Sequence, residues 1–131
     1  MGLSTKSVLM VDDDHEDVYT IRKALKKTKV QIDFNFIDSG IKFLEILKES
    51  SESLPDVVLL DINMPRMNGY DVLSELRENE QWKDLTVVML TTSSSEVDRK
   101  KLLEMGASAF VTKPHTRSDM TKFIYQLEEY M

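Results

Sequence analysis

Short apolar runs and helical repeats alternate along the whole chain. "SVLMV" (7–11), "DVVLLD" (56–61) and "LTVVMLT" (85–91) are almost unbroken apolar stretches. Runs of that length and density predict strands buried on both faces. "QIDFNFI" (31–37) differs, because Ile32, Phe34 and Phe36 alternate with Gln31, Asp33 and Asn35. Strict alternation predicts a strand with one wet face, hence an edge strand. "ASAFVT" (107–112) supplies a fifth strand.

Between these runs the period changes. From Asp14 onward, Val18, Ile21, Leu25 and Thr28 recur at helical spacing, with "RK" and "KK" on the other face. Ser39 is placed to cap a helix carrying Phe43, Leu44 and Leu47, since its hydroxyl can accept an unpaired amide of the first turn. "SSESLP" (50–55) reads as a polar connection, and "MPRMNG" (64–69) as a loop before a helix from Tyr70 to about Asn79. Trp82 is expected to pack under the connection that leads into the fourth strand. Serines 93–95 are placed to cap a helix that ends at Gly106, in the position where a left-handed glycine closes a helix. Thr116 with Asp119 resembles a capping box for the last helix.

The resulting order is βαβαβαβαβα, which predicts an α/β protein with a parallel sheet and helices on both faces. Right-handed crossovers, an edge position for the alternating strand and interior positions for the dense runs leave the strand order 2-1-3-4-5. That is the flavodoxin-like (βα)5 doubly wound sheet.

Composition narrows the function classes. A chain of 131 residues, 41% hydrophobic, is expected to form one domain over residues 1–131, since single domains commonly run to about 100–150 residues. The net charge of −6 argues against a nucleic-acid partner gripped through its phosphates. No cysteine is present, which excludes disulfides, thiolate metal sites and a catalytic thiol. No run approaches the length of a membrane span, and the start lacks a signal-peptide core. Gly2 fits a loose myristoylation pattern that is short and common. A cytoplasmic location is the expectation.

In an open α/β sheet, ligands bind beyond the carboxyl ends of the strands, at the point where strand order reverses. For this order the point lies between strands 1 and 3. Strand 1 ends in Asp12 and Asp13, strand 3 in Asp61, strand 4 in Thr91 and Thr92, and strand 5 in Thr112 and Lys113 before Pro114. Three carboxylates would converge there with a hydroxyl and an ammonium. Carboxylate oxygens suit a hard divalent cation such as Mg2+, which keeps waters that a phosphate can displace. A lysine supplies a point charge for a phosphoryl oxygen. These are the parts that phosphoryl transfer needs. A carboxylate can itself be the nucleophile, and Asp61, alone at the end of the central strand, is the candidate.

With these residues placed, the chain resembles a receiver domain of the two-component response-regulator family over essentially its whole length. The resemblance rests on "LMVDDD", "LLDINMPRMNGYDVL" (59–73), "TT" (91–92) and "GASAFVTKP" (106–114), in that order and at strand ends. It implies that Asp61 accepts a phosphoryl group from a histidine kinase or a histidine phosphotransfer protein. It implies Mg2+ on Asp12, Asp13 and Asp61, with the backbone carbonyl of Asn63 completing the protein ligands. Thr91 would hydrogen-bond the phosphoryl group, Lys113 would pair with it, and Phe110 would be the switch aromatic that turns inward with Thr91. Ser93 and Asn63 fall where the family tunes the lifetime of the phosphorylated state, and the Lys113–Pro114 bond is expected to be cis. Output would go to a downstream protein, from a monomer or a phosphorylation-dependent homodimer, without catalysis on a second substrate. The chain departs from the family in His115, where Phe is frequent, and in Phe110, which lacks a tyrosine's hydroxyl. No effector domain follows in the sequence, which points to a stand-alone regulator like those paired with phytochrome-type kinases.

The bland readings are distinct. Asp14, Glu16 and Asp17 need no function, because acids in a first helical turn complement the helix dipole. His15 and His115 are expected at the surface. An aspartate-nucleophile phosphatase would need D-x-D-x-T/V, whereas Asp12, Asp13 and Asp14 are followed by His15 and Glu16. A calcium loop fails, with Asp17 where glycine is needed and Lys23 where a bidentate Glu belongs. A receiver-like binding module that is never phosphorylated is the remaining alternative.

Overall fold

The computed structural model describes residues 5–49, 54–92 and 96–131. In chain order the elements are β1 (Thr5–Val11), α1 (His15–Leu25), β2 (Gln31–Ile37), α2 (Gly40–Glu49), β3 (Val57–Asp61), α3 (Gly69–Glu78), β4 (Thr86–Thr91), α4 (Glu96–Glu104), β5 (Ala109–Thr112) and α5 (Arg117–Glu128). The five strands form one parallel sheet in the order β2-β1-β3-β4-β5. This is the expected topology. The serine caps at 93–95, Gly2 and part of the 50–55 connection lie outside the described residues.

Alternation along each strand sorts the core into two layers. On one face Val8, Met10, Val57, Leu59, Val88, Leu90 and Val111 meet Val18, Ile21 and Leu25 of α1 and Phe123 and Leu127 of α5. On the other, Val11, Val58, Leu60, Val87 and Met89 meet Phe43, Leu44 and Leu47 of α2, Val72, Leu73 and Leu76 of α3, and Leu102 of α4. Trp82 is buried in this second layer, beneath the entry to β4. All five residues of β3 are buried, whereas β2 alternates between exposed and half-buried positions. A strand with neighbours on both sides and helices on both faces has no wet face to give polar residues.

Boundaries shifted where pairing or capping overrides hydrophobicity. β1 begins at Thr5 because Thr5 and Lys6 pair with Gln31 and Ile32 of the edge strand. β5 begins at Ala109, two residues late, because Gly106 and Ala107 finish α4. Gly106, at φ +101°, donates its N–H to Leu103 O (3.1 Å), and Ala107 donates to Leu102 O (3.0 Å). This is the Schellman pair that a left-handed residue makes available. α3 starts one residue early, at Gly69, behind a reciprocal capping box of Asn68 and Asp71. Thr116 caps α5 through Asp119 N (3.0 Å). Ser39 caps α2 through Lys42 N (3.3 Å).

One expectation is corrected. The Lys113–Pro114 bond is trans, since the described chain contains no cis peptide. Proline narrows the trans preference to about 0.5–1 kcal/mol without reversing it.

Candidate functional site

The site is assembled at the carboxyl ends of β1, β3, β4 and β5. Backbone bonds extend the sheet past the strands: Asp12 N donates to Ile37 O (3.0 Å), Ile62 N to Leu90 O (3.1 Å) and Lys113 N to Thr91 O (2.7 Å). The side chains of Asp12, Asp61, Thr91 and Lys113 therefore stand on framework held by the core, and all four are buried.

Gly69 fixes what lies under Asp61. A Cβ at Gly69 would stand 2.5 Å from Asp61 O and 2.8 Å from Ile62 Cα. Its N–H donates to Ile62 O at 2.9 Å. Only glycine lets the start of α3 rest directly on the backbone of the acidic strand end.

Lys113 Nζ is the hub. It lies 2.7 Å from Asp17 Oδ2, 2.9 Å from Asp12 Oδ2 and 3.1 Å from Asp61 Oδ1. Asp12, Asp13 and Asp61 each offer a carboxylate oxygen within 4.8 Å of the others, with Asp13 exposed and its two companions buried. Asp12 Oδ1 accepts Asp14 N at 2.9 Å. Among the described residues the buried Asp12 Oδ2 is met only by the Lys113 ammonium. Lys113 compensates its charge across 2.9 Å, but a lone pair stays free. Three carboxylates at this spacing, one with a free lone pair on a buried oxygen, fit a hard divalent cation.

The charges are mutually strained. Burial raises the Asp61 carboxyl to about 6, the charge of Asp12 adds to the rise, and Lys113 and the Asn63 amide offset part of it. Burial likewise lifts Asp12 above the usual carboxylate range, against the pull of the Asp14 amide and Lys113. Burial alone would lower Lys113, yet its hydrogen bonds to Asp17 and Asp12 and the charges of Asp12 and Asp61 hold it above its ordinary value.

Of the residues singled out in the sequence, Asp12, Asp13, Asp61 and Lys113 come together directly. Thr91 adjoins them at the end of β4, buried, and Thr92 is exposed. Asn63 sits beside Asp61 through its backbone amide, with its side chain in solvent. Phe110 is half-buried on β5 and lines a cavity of about 330 Å³ with Arg99, Thr112, Lys113, Asp119 and Lys122. His15 and His115 are exposed. A second cavity of about 570 Å³ opens on the far side of β2, among Arg22, Leu25, Lys26 and Phe34, and holds none of the carboxylates. Ser93 lies outside the described residues.

Sequence reasoning missed Asp17, which it read as a dipole-complementing acid. Asp14 caps α1 through Glu16 N (2.9 Å) and Asp17 N (3.3 Å), as expected. The Asp17 carboxylate, however, turns to a lysine 96 residues away. Its position next to the buried Val18, on the inward side of α1, was the available signal.

A five-stranded doubly wound sheet with an acidic trio, a threonine and a lysine on one rim defines a receiver of two-component signalling. The chain belongs to the response regulator receiver domain family, whose model matches residues 8–125. It is similar to the response regulator Rcp1 of Synechocystis sp., with 28% identity over 129 residues, covering 95% of this chain and 88% of that protein. It is also similar to the sensor histidine kinase CheAY of Helicobacter pylori, with 34% identity over 117 residues, or 89% of this chain but only 14% of that much longer protein. Among solved structures, the phosphorylated cyanobacterial phytochrome response regulator RcpA superposes with TM-score 0.83 at 27% identity, covering 97% of this chain and 94% of that one. The Mn2+-bound form of Rcp1 superposes with TM-score 0.81 at 27% identity, covering 95% and 92%.

Proposed function

We propose that Asp61 is the phosphoacceptor of this receiver, charged by a histidine kinase or a histidine phosphotransfer protein, with Mg2+ held by Asp12, Asp13, Asp61 and the Asn63 carbonyl. The observation that carries this reading is the meeting of Asp12 and Asp61 oxygens at one lysine ammonium, 2.9 and 3.1 Å away. The Mn2+-bound and phosphorylated structures of its relatives support it.

Bound Mg2+ would supply charge neutralisation and orientation for the phosphoryl oxygens. Asp61 attacks phosphorus in line. An oxygen–phosphorus bond forms as the donor's nitrogen–phosphorus bond breaks, and the electron pair leaves with the imidazole. Without metal Asp61 titrates near 6; a bound divalent cation would lower that value and keep the nucleophile ionised at neutral pH. Lys113 pairs with a phosphoryl oxygen, and Thr91 donates its hydroxyl to another. Drawing Thr91 inward biases a pre-existing equilibrium of the segment after β4, and Phe110 follows. The face around α4, β5 and α5 thereby changes its affinity for a downstream protein. The chain promotes only its own phosphorylation and dephosphorylation, in the cytoplasm, where its donor's phosphohistidine is made.

Incubation with acetyl phosphate and Mg2+, followed by intact-mass measurement, tests this. One added phosphoryl group is expected, none with EDTA and none on Asp61→Asn. Borohydride trapping and peptide mapping should place it on Asp61. A label on Asp12 would favour the phosphatase alternative, and no added mass would favour a binding module that is never phosphorylated.

A further inference from the structure

We infer that Asp17 is a positioning residue: it is the counter-charge that keeps Lys113 in the site while Asp12 and Asp61 serve a divalent cation. This rests on the metal reading of the preceding section.

An ammonium has three protons, and Lys113 Nζ faces three carboxylates. Its shortest contact, 2.7 Å, is to Asp17 Oδ2. The other two, Asp12 and Asp61, belong to the trio whose oxygens lie within 4.8 Å of one another, and Asp17 does not. The two sets also come from different elements. The trio stands at the ends of β1 and β3, whereas Asp17 belongs to the first turn of α1, fixed there by the Asp14 cap and by Val18 and Ile21 in the core.

The roles therefore separate when Asp12 and Asp61 turn their oxygens to a doubly charged ion. Lys113, buried and now next to that charge, loses two of its three partners and is repelled. Without a third carboxylate it would compete with the ion for the same oxygens or leave the site. Asp17 gives it a partner outside the trio. The ammonium then stays within reach of Asp61, with protons free for a phosphoryl oxygen. The side chain of Asp17 is partly open to water, at 23% exposure. It can accept that role without the burial cost that strains Asp12 and Asp61.

Mg2+ affinity of the full chain, measured by calorimetry, separates this from a simple field effect. Asp17→Asn should weaken Mg2+ binding on the order of tenfold, the coupling expected of charged neighbours in one network. In a Lys113→Ala background the same substitution should change affinity by less than about twofold, because no competitor is left to hold back. Asp17→Glu should recover part of the loss. The 15N-detected ammonium signal of Lys113 should persist in Mg2+-loaded protein and vanish in Asp17→Asn. Equal weakening in both backgrounds, or no weakening in either, overturns the role of Asp17 and leaves the metal reading standing. A parent protein that binds no Mg2+ overturns the metal reading, and this inference with it.

Discussion

Lys113 and Arg77 are both cations drawn in from the surface of the same sheet, and they are satisfied by opposite kinds of partner. Lys113, at the carboxyl rim, faces the carboxylates of Asp12, Asp17 and Asp61. Arg77, in the last turn of α3, donates to four backbone carbonyls: Gly106 (2.8 Å), Trp82 (3.4 Å), Lys83 (3.0 Å) and Leu85 (2.8 Å). Carbonyls bring dipoles without net charge, so burial leaves Arg77 below its ordinary pKa despite nearby Asp84, while Lys113 is driven above its own.

The two arrangements have different consequences. Arg77 ties the end of α3, the entry to β4 and the Schellman turn after α4 into one fixed corner, with all three of its nitrogens donating. At Lys113 three negative charges meet one positive charge, and the buried Asp12 Oδ2 has no partner but that shared ammonium. That surplus is poor design for a structural ion pair, since burying unmatched charge costs more than the pairing returns. It is sound design for a site that takes up a cation and a phosphoryl group. One corner of the sheet is closed by a cation on uncharged carbonyls, and the other is held open electrostatically.

The largest effect is expected at Lys113. Lys113→Ala leaves Asp12, Asp17 and Asp61 facing one another. Metal-free protein should lose about 3–5 kcal/mol of stability at neutral pH and keep its fold. Millimolar Mg2+ should restore part of that in urea melts. The variant should also lose the phosphorylation-dependent spectral shift, because no ammonium remains to couple Asp61 to β5. Arg77→Met should cost about 2–3 kcal/mol, the price of orphaned carbonyls, with no recovery on adding Mg2+. Equal rescue of both variants by Mg2+ would break the comparison.

An effect of the same order as that at Arg77, shrinking in acid, follows from pH. Asp61 titrates near 6 in the folded chain against an ordinary value of 3.8. Its folded-state pKa is raised, so its contribution to stability is fully present below about pH 4 and is lost as pH rises through 6. In EDTA, Asp61→Asn should therefore be more stable than the parent by about 2–3 kcal/mol above pH 6. The difference should shrink in acid. Urea denaturation at pH 5 and pH 8 checks this, and parallel pH profiles for the two proteins would contradict it.

Much of this was legible in the sequence because the strands are so uniformly apolar. When a run such as "VVLLD" has no wet face, its first acid must stand at the sheet's rim, and the strand order then says which rim residues meet. Asp12, Asp13, Asp61, Thr91 and Lys113 followed from that logic. Asp17 and Arg77 did not. An acid in a first helical turn and a base in a last turn both satisfy the helix dipole, so local sequence gives each a sufficient reason to exist. Only the tertiary fold, which brings the first turn of α1 to the residue after β5 and the end of α3 to the turn at Gly106, assigns them partners 96 and 29 residues away. The isomer at Pro114 was equally illegible, being decided by a small energy difference.

The central claim is that Asp12, Asp13 and Asp61 share one cation beside Lys113. Crystals of the full chain grown with Mn2+ and measured at the manganese edge test it most directly. The account predicts one strong anomalous peak within coordination distance, about 2.0–2.3 Å, of oxygens from all three aspartates, with Lys113 still on Asp17. Manganese bound elsewhere, with the trio empty and Lys113 still bridging Asp12 and Asp61, would contradict it.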